Sequence, residues 1–574
     1  MNTMPNTLVE FKTIEAQFKQ FVLSDPETSM GLGDTQYLGD LGDPSLQGMY
    51  ADTEKAKTLI SAIKQCKSDV FNETLDLDLM ERYLQQQVFF NELQQHGQPQ
   101  RCRKPGAVDG ISAGIFQLFV NDDRQASDRI ENILSRLLQA PEYLKTEAQV
   151  ITQPIKRWLD IELEQASGLP DLFDTIYAWA EQQKYSKLDE FKAAITSCNA
   201  ALDSYISDLQ SRETIISFAI GEDKVSELLA LRHIDQTPKQ LASMAYDFMK
   251  ETQVLLSELK SHLLEKYSLP ADTTEADLHE YLNEKFAAKL TAGKLSSILD
   301  IYSEQIESIN QFIDKNKLFS IPDQQSIKIM QTPSFLEPVI PAGAMWPPLA
   351  LREGNKTSLV YLTLKEDQLA EHTELGIPVM MIHEGIPGHH LQFATAAQHP
   401  SFVRRIFSAN EHAEGWTTML EDYMLDVGYI ASDLVDEVRF IAKREMSRLV
   451  ARVGIDLYFM TANKDYLNVG LDLEFNSDDV FENAAKLLKT ATGFTDGRVQ
   501  AELNWYSTEQ SYPFSYLTGN RMVWTMKGEI EHQNVKGLSK TQLDQAFHRI
   551  YLESGCMPVN SLRDVFVDEG YLIS

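Results

Sequence analysis

Apolar residues recur at helical spacing through most of the first 325 residues. The segment 237–267 is an example, in which Thr237 and Gln240 form a capping box around Pro238 at the first helical position. Its apolar residues then recur on one helical face, at Leu241, Met244, Ala245, Phe248, Leu255, Leu259 and Leu263. Short polar breaks separate such segments, so residues 1–325 are predicted to form a mainly helical region.

The pattern changes between residues 326 and 365. SIKIMQTP (326–333) and TSLVYLTL (357–364) are short β-favouring runs, and the Pro- and Gly-containing stretch PAGAMWPPLALREGNK (341–356) divides them. Helical spacing returns after residue 366, as in NSDDVFENAAKLLKTATG (476–493), where Ser477 is predicted to cap and Gly493 to end a helix. We therefore expect a mainly α protein with a small sheet near 326–365, and two regions, 1–325 and 326–574.

The net charge of −32, from 52 basic and 84 acidic residues, argues against nucleic acid or an anionic membrane as partner, because phosphate groups would repel the chain. The four cysteines are scattered singly, which indicates neither a disulfide framework nor a zinc ribbon. The sequence contains no apolar run of about 18 residues that could span a membrane.

The first residues, MNTMPNTLVEFKTIEAQF, lack a basic start followed by an apolar run. A cytoplasmic location is therefore expected for this chain. A periplasmic or lipoprotein form is the alternative, if a leader has been removed. The sequence predicts no particular oligomeric state.

Histidines are concentrated in one part of the chain. Six of the 12 fall between residues 372 and 412. Within this part, MIHEGIPGHHLQ (381–392) carries His383 and Glu384 on a predicted buried helix, as zinc peptidases do, but Pro387 stands where their second His would follow. The next histidines, His389 and His390, come six and seven residues after His383.

Two interpretations of this spacing are open. Gly385, Pro387 and Gly388 can break the helix and redirect a later His toward His383, which would make a modified zinc site. Alternatively the same residues only end the helix, and the histidines cap it or face solvent.

A third metal ligand is available in NEHAEGWTTMLEDYM (410–424), which is predicted to be a helix. Glu414 follows His389 by 25 residues, a length that suits a helix-loop-helix. Glu421 lies two turns further on the same face and is a candidate to support the ligands. The alternative is that both are surface carboxylates.

HEGIPGHHLQ and AEGWTTMLED together resemble a bacterial family, domain of unknown function 885, whose motifs are similar to HE-x-x-PGH-x-LQ and EGW-x-x-x-x-E. GLGDTQYLGDLGDPS (31–45), a predicted loop, and ELNWYSTEQSYPFSYLTG (502–519) resemble its early and late segments. The resemblance runs from about residue 25 to residue 550. The family looks like a distant branch of the zinc metallopeptidases that include angiotensin-converting enzyme and the oligopeptidases.

The resemblance implies a large two-lobed helical metallopeptidase-like fold with a deep cleft, and a Zn²⁺-dependent peptidase acting on short peptides. By motif position His383, His389 and Glu414 would bind zinc, and Glu384 would be the general base. The family pattern favours His389 over His390. Tyr506 and Tyr516 keep the family's ten-residue separation, and Tyr516 is preferred as the donor to the oxyanion.

An edge strand of the small sheet would then pair with the substrate backbone, with AMWPP (344–348) near the mouth of the cleft. The chain also departs from the family pattern, at Trp505, at Gln510-Ser511-Tyr512, and at Arg452 and Asp456. These departures lie in the predicted substrate pocket. They keep two alternatives open, a catalytically inactive peptide- or partner-binding protein and a non-peptidase metal-dependent amide hydrolase.

Overall fold

The computed structural model describes residues 10–95, 98–332, 343–365, 369 and 372–573. The chain is mainly helical with a small three-stranded sheet, as the sequence predicts. It divides into two compact units, Met1–Ile220 and Gly221–Ser574. The expected division at 325/326 falls inside the second unit, so the helices between 221 and 325 belong with the sheet and with all the candidate site residues.

The first unit consists of helices joined by short loops, with one very short antiparallel pair of strands, β1 (Gln94–Gln95) and β2 (Gln98–Pro99). Its helices are α1 (Phe11–Val22), α2 (Pro26–Gly31), α3 (Leu46–Ile63), α4 (Phe71–Glu92), α5 (Ala107–Val120), α6 (Ala126–Val150), α7 (Lys156–Gln182) and α8 (Leu188–Gln210). The Gly- and Asp-rich segment after α2 is a loop, as predicted.

The second unit begins with α9 (Glu222–Leu231), α10 (Pro238–Tyr267), α11 (Glu275–Lys285) and α12 (Ser297–Asn316). The three strands follow, β3 (Gln325–Gln331), β4 (Gly343–Trp346) and β5 (Lys356–Leu362). The remaining helices are α13 (Gly376–Glu384), α14 (His389–Ala396), α15 (Phe402–Ile406), α16 (Asn410–Asp426), α17 (Val435–Thr461), α18 (Val480–Thr492), α19 (Asp496–Thr508), α20 (Ser515–Gln533), α21 (Lys540–Glu553) and α22 (Val559–Asp568).

Local signals set the bounds of α10. The predicted capping box is present, with the Thr237 hydroxyl accepting the N–H of Gln240 and the Gln240 side chain accepting the N–H of Thr237. The buried face of the helix packs into a leucine-rich core shared with α11 and α17. Most of the predicted stripe is in this face, although Met249 and Leu256 are buried where Phe248 and Leu255 were expected.

The start of α18 differs from the prediction. Asp479, not Ser477, is the N-cap, because its carboxylate accepts the N–H of Phe481 at 2.7 Å. Ser477 instead accepts the N–H of Asp479 from outside the helix. Gly493 ends the helix with a φ of 73°, as its position predicts.

The sheet has the strand order β3-β5-β4, with β3 parallel and β4 antiparallel to β5. β4 lies within residues 341–356, whose Pro and Gly residues predict a break between two strands. Its pairing with β5 overrides the local Pro and Gly signals, since register with a neighbour is not a local property. Residues 347–348 of the AMWPP motif follow the strand.

Two glycines allow α16 and α20 to cross closely. A β-carbon on Gly415 would lie 2.4 Å from the backbone of Gly519, and one on Gly519 would lie 2.0 Å from the carbonyl oxygen of Glu411. The crossing therefore requires glycine at both positions, and it brings the residues that precede α20 next to Glu414. Among the described residues, no helix is both long enough and apolar enough to cross a bilayer.

Candidate metal centre

The helix that carries His383 and Glu384 breaks directly after them. α13 ends at Glu384, α14 begins at His389, and the intervening Ile386–Pro387 peptide bond is cis. Gly388 packs so closely on the end of α13 that a β-carbon would lie 1.9 Å from the carbonyl oxygen of His383. The break therefore returns His389 toward His383, as the modified-site interpretation requires.

Trp416 holds this loop in place. It is fully buried on α16, and its indole N–H donates to the carbonyl oxygen of Pro387 at 3.0 Å. The rings of His383 and His389 consequently meet edge to face, with centroids 4.9 Å apart. Glu414, which lies two residues before Trp416, reaches the same point from α16.

His383, His389 and Glu414 converge, with one ligand atom of each within 4.8 Å of the others. Oε2 of Glu414 lies 3.6 Å from Nε2 of His383 and 3.4 Å from Nε2 of His389. These distances are too long for good hydrogen bonds. They match the separation of roughly 3.3–3.6 Å between two ligand atoms of a tetrahedral zinc ion with bonds near 2.0–2.2 Å.

The polar atoms at the centre of this group also lack other partners. Glu414 is 3% exposed, and its Oε2 has no hydrogen-bond partner among the described residues. Burying an ionised carboxylate without such a partner costs several kcal/mol. The donor set of two imidazoles and one carboxylate fits a zinc ion at this position.

His390 points away from the centre. Its Nδ1 lies 2.7 Å from the hydroxyl of Ser358 on β5, and its Nε2 lies 2.6 Å from Oε1 of Gln325 on β3. Burial lowers the pKa of His390 to about 4, so the ring is neutral. Both ring nitrogens are used in fastening α14 to the sheet, and the structure brings His389, not His390, to His383.

Glu421 supports His383 from behind. Its Oε1 lies 2.7 Å from Nδ1 of His383, one of the shortest contacts in the group. A proton on Nδ1 shared with this carboxylate leaves Nε2 as the nitrogen that faces Glu414 and that binds a metal ion once its own proton is displaced. This contact is the one expected of Glu421 if it supports a metal ligand, as the sequence predicts.

Tyr512 is a residue of the centre that the sequence did not single out. Its hydroxyl donates to Oε1 of Glu414 at 2.6 Å, which leaves Oε2 to face the two histidines. The residue was noted only as a departure from the family's Pro-Gly-Gln. The sequence offers one signal for its role: Tyr512, a hydrogen-bond donor, stands where the family has the amide side chain of Gln.

Electrostatics at the centre favour a cation. Burial lowers the pKa of His383, but the neighbouring carboxylates of Glu414 and Glu421 outweigh that effect and raise the pKa to about 10. Burial raises the pKa of Glu414, but the two histidines outweigh that effect and hold it well below the usual range. Positive charge, from a proton or a metal ion, is therefore stabilised among these side chains.

Glu384 and Tyr516 lie beside this group. Glu384 is half-buried, and its charge acts on both His383 and Tyr516. The ring centroid of Tyr516 lies 5.9 Å from that of Tyr512. Burial and the charge of Glu414 raise the pKa of Tyr516, so its hydroxyl keeps its proton.

Tyr506 lies in a different environment. It is fully buried, its hydroxyl donates to Glu502 at 2.6 Å, and Nε of Arg452 donates to it at 2.9 Å. These bonds use the hydroxyl in an ion-pair network. Of the two tyrosines predicted as oxyanion donors, Tyr516 is therefore the one that neighbours the centre.

The loop that carries Tyr512 is fastened by two buried charges. Asp456 accepts the N–H groups of Ser511 at 3.0 Å and Phe514 at 3.1 Å. Arg232 donates to the carbonyl oxygen of Ser511 and to Oε2 of Glu411, the latter at 2.6 Å. Tyr512 is held against Glu414 by these contacts, and Asp456 thus has a structural task.

Residues 26–565 match the model of a family of bacterial proteins of unknown function, DUF885. The chain belongs to this family. The match covers both units and every residue of the candidate metal centre. No curated protein is detectably similar to the chain.

Two solved structures have a similar fold. One is a putative lipoprotein of unknown function from Shewanella oneidensis, with a TM-score of 0.75 and 19% identity over 97% of this chain and 100% of that chain. The other is a putative lipoprotein from Colwellia psychrerythraea, with a TM-score of 0.76 and 14% identity over 97% and 99% of the two chains. At these identities the similarity establishes the fold alone.

Proposed function

We propose that this DUF885 protein is a zinc-dependent metallopeptidase that hydrolyses short peptides. The observation that carries the proposal is the convergence of His383, His389 and Glu414, with Oε2 of Glu414 at a distance from each imidazole that suits a tetrahedral zinc ion. Glu384 follows His383 directly, and its charge acts on that ring. When bound, zinc supplies a Lewis acid for the substrate carbonyl and for the attacking water.

Glu384 is the general base in this proposal. It directly follows a ligand on α13, and its carboxylate is half-buried next to the centre. From there it takes a proton from the attacking water and delivers it to the leaving amine. Tyr516 keeps its proton and donates a hydrogen bond to the carbonyl oxygen as negative charge develops there.

The sheet supports a peptide as substrate. Among the described strands β4 lies at an edge, since it pairs only with β5. The strand is close to α13, because a β-carbon on Gly343 would lie 3.3 Å from the side chain of Met380, one turn before His383. An extended peptide can add to such an edge through main-chain hydrogen bonds.

A periplasmic or lipid-anchored form is part of the proposal. Both similar structures are those of putative lipoproteins, which supports that location over the cytoplasm. A peptidase there would act on peptides taken up from outside the cell. Fractionation of cells that express the full-length gene product would test the location.

The decisive experiment measures zinc content and peptide hydrolysis on the same preparations of wild type and Glu384→Gln. We expect about one zinc per chain in both, and a fall in kcat of at least about 100-fold in the variant, because the base is lost while the ligands remain. Glu374→Gln, which changes an exposed glutamate ten residues earlier, is the control and should leave both quantities unchanged.

Unchanged hydrolysis in a zinc-loaded Glu384→Gln protein would contradict the mechanism. Zinc binding with no hydrolysis of any short peptide, but with hydrolysis of other amides, would favour the non-peptidase alternative. Absence of zinc from the wild type, even after zinc is supplied, would favour a binding protein. His389→Ala should abolish zinc binding, whereas His390→Gln, which keeps hydrogen bonds to the sheet, should retain it.

A further inference from the structure

Two arginines lie one helical turn apart on α17, directly next to Tyr516. The guanidinium carbon of Arg452 lies 4.4 Å from the ring centroid of Tyr516. Arg448 is four residues earlier on the same face of the helix. Tyr516 in turn contacts Tyr512, whose hydroxyl is bonded to Glu414, so two aromatic rings connect this arginine pair to the metal centre.

Two carboxylates lie next to the arginine pair, and one of them is largely exposed. Both share Glu502, whose Oε2 lies 3.2 Å from Nη2 of Arg452 and whose Oε1 lies 3.6 Å from Nη1 of Arg448. Arg448 also contacts Glu445 at 3.0 Å, but the Glu445 side chain is 47% exposed, and water screens such a pair strongly. The pair therefore has two carboxylates for its two guanidinium groups, and of these two Glu502, with a side chain 16% exposed, is the more enclosed.

Donor groups of both arginines are also unused. Nε of Arg448 is buried and has no hydrogen-bond partner among the described residues. The hydrogen bonds of Arg452 use Nε, to Tyr506, and Nη2, to Glu502, and leave Nη1 without one among the described residues. A purely structural pair would be expected to satisfy its buried donors.

We propose that Arg448 and Arg452 bind a carboxylate group of the substrate, an inference that rests on the proposed peptidase function. A substrate carboxylate would accept the unused N–H groups of the pair in the bidentate manner that guanidinium groups favour. The three rings around Arg452, those of Trp505, Tyr506 and Tyr516, orient its planar group for this contact.

The position of the pair limits the length of the substrate. A peptide whose scissile carbonyl lies at the metal centre advances about 3.3–3.6 Å per extended residue. In this proposal the carboxylate that the arginine pair binds lies a few residues from the scissile carbonyl. It comes either from the free C-terminus of a short peptide or from an acidic side chain.

The test is equilibrium binding to the full-length Glu384→Gln protein, measured by titration calorimetry so that no hydrolysis is needed. The probes are trialanine and its C-terminal amide, and alanyl-alanyl-aspartate amide and alanyl-alanyl-asparagine amide. For one of these two peptide pairs, we expect the peptide with the free carboxylate to bind at least about tenfold more tightly than its uncharged partner, or ~1.4 kcal/mol. The peptide pair that shows this difference tells whether the bound carboxylate is the C-terminus or an acidic side chain.

Arg448→Gln in the same background should reduce that preference to less than about twofold. Arg439→Gln is the matched control, because Arg439 lies on the same helix with nearly the same side-chain exposure, 23% against 22%, and pairs with Asp426 instead. Arg452→Lys keeps the charge but loses the planar fork, and should weaken the preference while the fold is retained by circular dichroism.

Equal binding of charged and uncharged peptides, a preference that survives Arg448→Gln, or no binding of any probe at millimolar concentration would overturn the inference. Failure of the proposed function has different signatures, namely absence of zinc or absence of hydrolysis in the wild type. A carboxylate preference that depends on Arg448 in a protein without hydrolytic activity would support the arginine site while contradicting the peptidase.

Discussion

Glu414 in the second unit and Glu147 in the first are both buried carboxylates, yet their surroundings act on them in opposite directions. Two imidazoles face Glu414 and hold its pKa well below the usual range despite burial. Glu147 is raised to a pKa of about 8 by burial, with a further contribution from the charge of Glu162. The first environment stabilises negative charge and, with it, a nearby cation, whereas the second favours a proton.

The reason lies in what each carboxylate contacts. Glu147 accepts the N–H of Gly106 at 3.1 Å, and Glu162 accepts the N–H of Val108 at 3.0 Å and the hydroxyl of Tyr205 at 2.8 Å. These two glutamates cap the N-terminus of α5, where backbone N–H groups need acceptors. A buried carboxylate therefore indicates a metal only when imidazole nitrogens converge on it, and burial by itself is insufficient.

The largest expected difference between the two carboxylates is the effect of their substitution on zinc binding, tested first by Glu414→Gln. Loss of the charged ligand is expected to weaken zinc binding by more than about 100-fold, the upper end for loss of a residue that merely orients a ligand. Glu147→Gln is the control, and its zinc affinity should equal that of the wild type. Competition with a chromophoric chelator measures both, and equal affinities in the two variants would remove Glu414 from the centre.

The pH dependence of zinc binding should be steep. With a pKa of about 10, His383 holds a proton through neutral pH, and zinc must displace it. Affinity should therefore rise about tenfold per pH unit, or ~100-fold between pH 6 and pH 8. Chelator competition at constant ionic strength measures the slope, and a flat profile would show that no proton is displaced.

Glu147→Gln should change how the free energy of unfolding depends on pH, because Glu147 is protonated in the folded protein at a pH where it is ionised in the unfolded chain. In the unfolded chain a Glu carboxyl ionises near about pH 4.3, whereas the folded-state pKa of Glu147 is about 8. The wild type therefore loses stability as pH rises through this window, and the uncharged variant does not. Chemical denaturation should show the variant gaining about 3.5 kcal/mol relative to wild type between pH 5 and pH 8.

The exposed Glu374→Gln should show no such change. If Glu147→Gln were destabilising by the same amount at both pH values, the carboxyl would be ionised in the folded protein. Its environment would then resemble that of Glu414 more closely than the contacts indicate.

Tyr512→Phe has the smallest expected effect. The hydroxyl orients Glu414 without binding metal, so its loss should weaken zinc binding about tenfold. Tyr512→Gln restores a donor and should recover part of the affinity. Tyr205→Phe removes an equivalent bond to Glu162 and should leave zinc binding unchanged; a similar fall in both variants would indicate a general loss of stability.

Local patterns were sufficient where the deciding interactions are local. The capping box at Thr237 and the glycine stop at Gly493 follow from hydrogen bonds within a few residues, and the structure has both. His383 and Glu414 were singled out by residue type and spacing, and the structure brings them together with His389. Ser477 was misplaced as a cap because Asp479 competes for the same position two residues later.

The missed features depend on distant partners. β4 forms because it pairs with β5, and Tyr512 reaches Glu414 because two glycines let α16 and α20 cross closely. Neither relation has a periodic or short-range signal. The substitutions noted as departures, among them Arg452 and Tyr512, could be recognised as interesting from the sequence, but their contacts could not.

The helical class, the small sheet and the types of ligand at the centre are readable from the sequence, since they follow from periodicity and from the chemistry of His and Glu. Which of two adjacent histidines faces His383 is a property of the folded chain. Gln325 and Ser358, on strands β3 and β5, take both ring nitrogens of His390, and the Gly388 contact with α13 turns His389 inward. A side chain's direction is set by its distant partners, and neighbouring positions on one helix have nearly the same local surroundings.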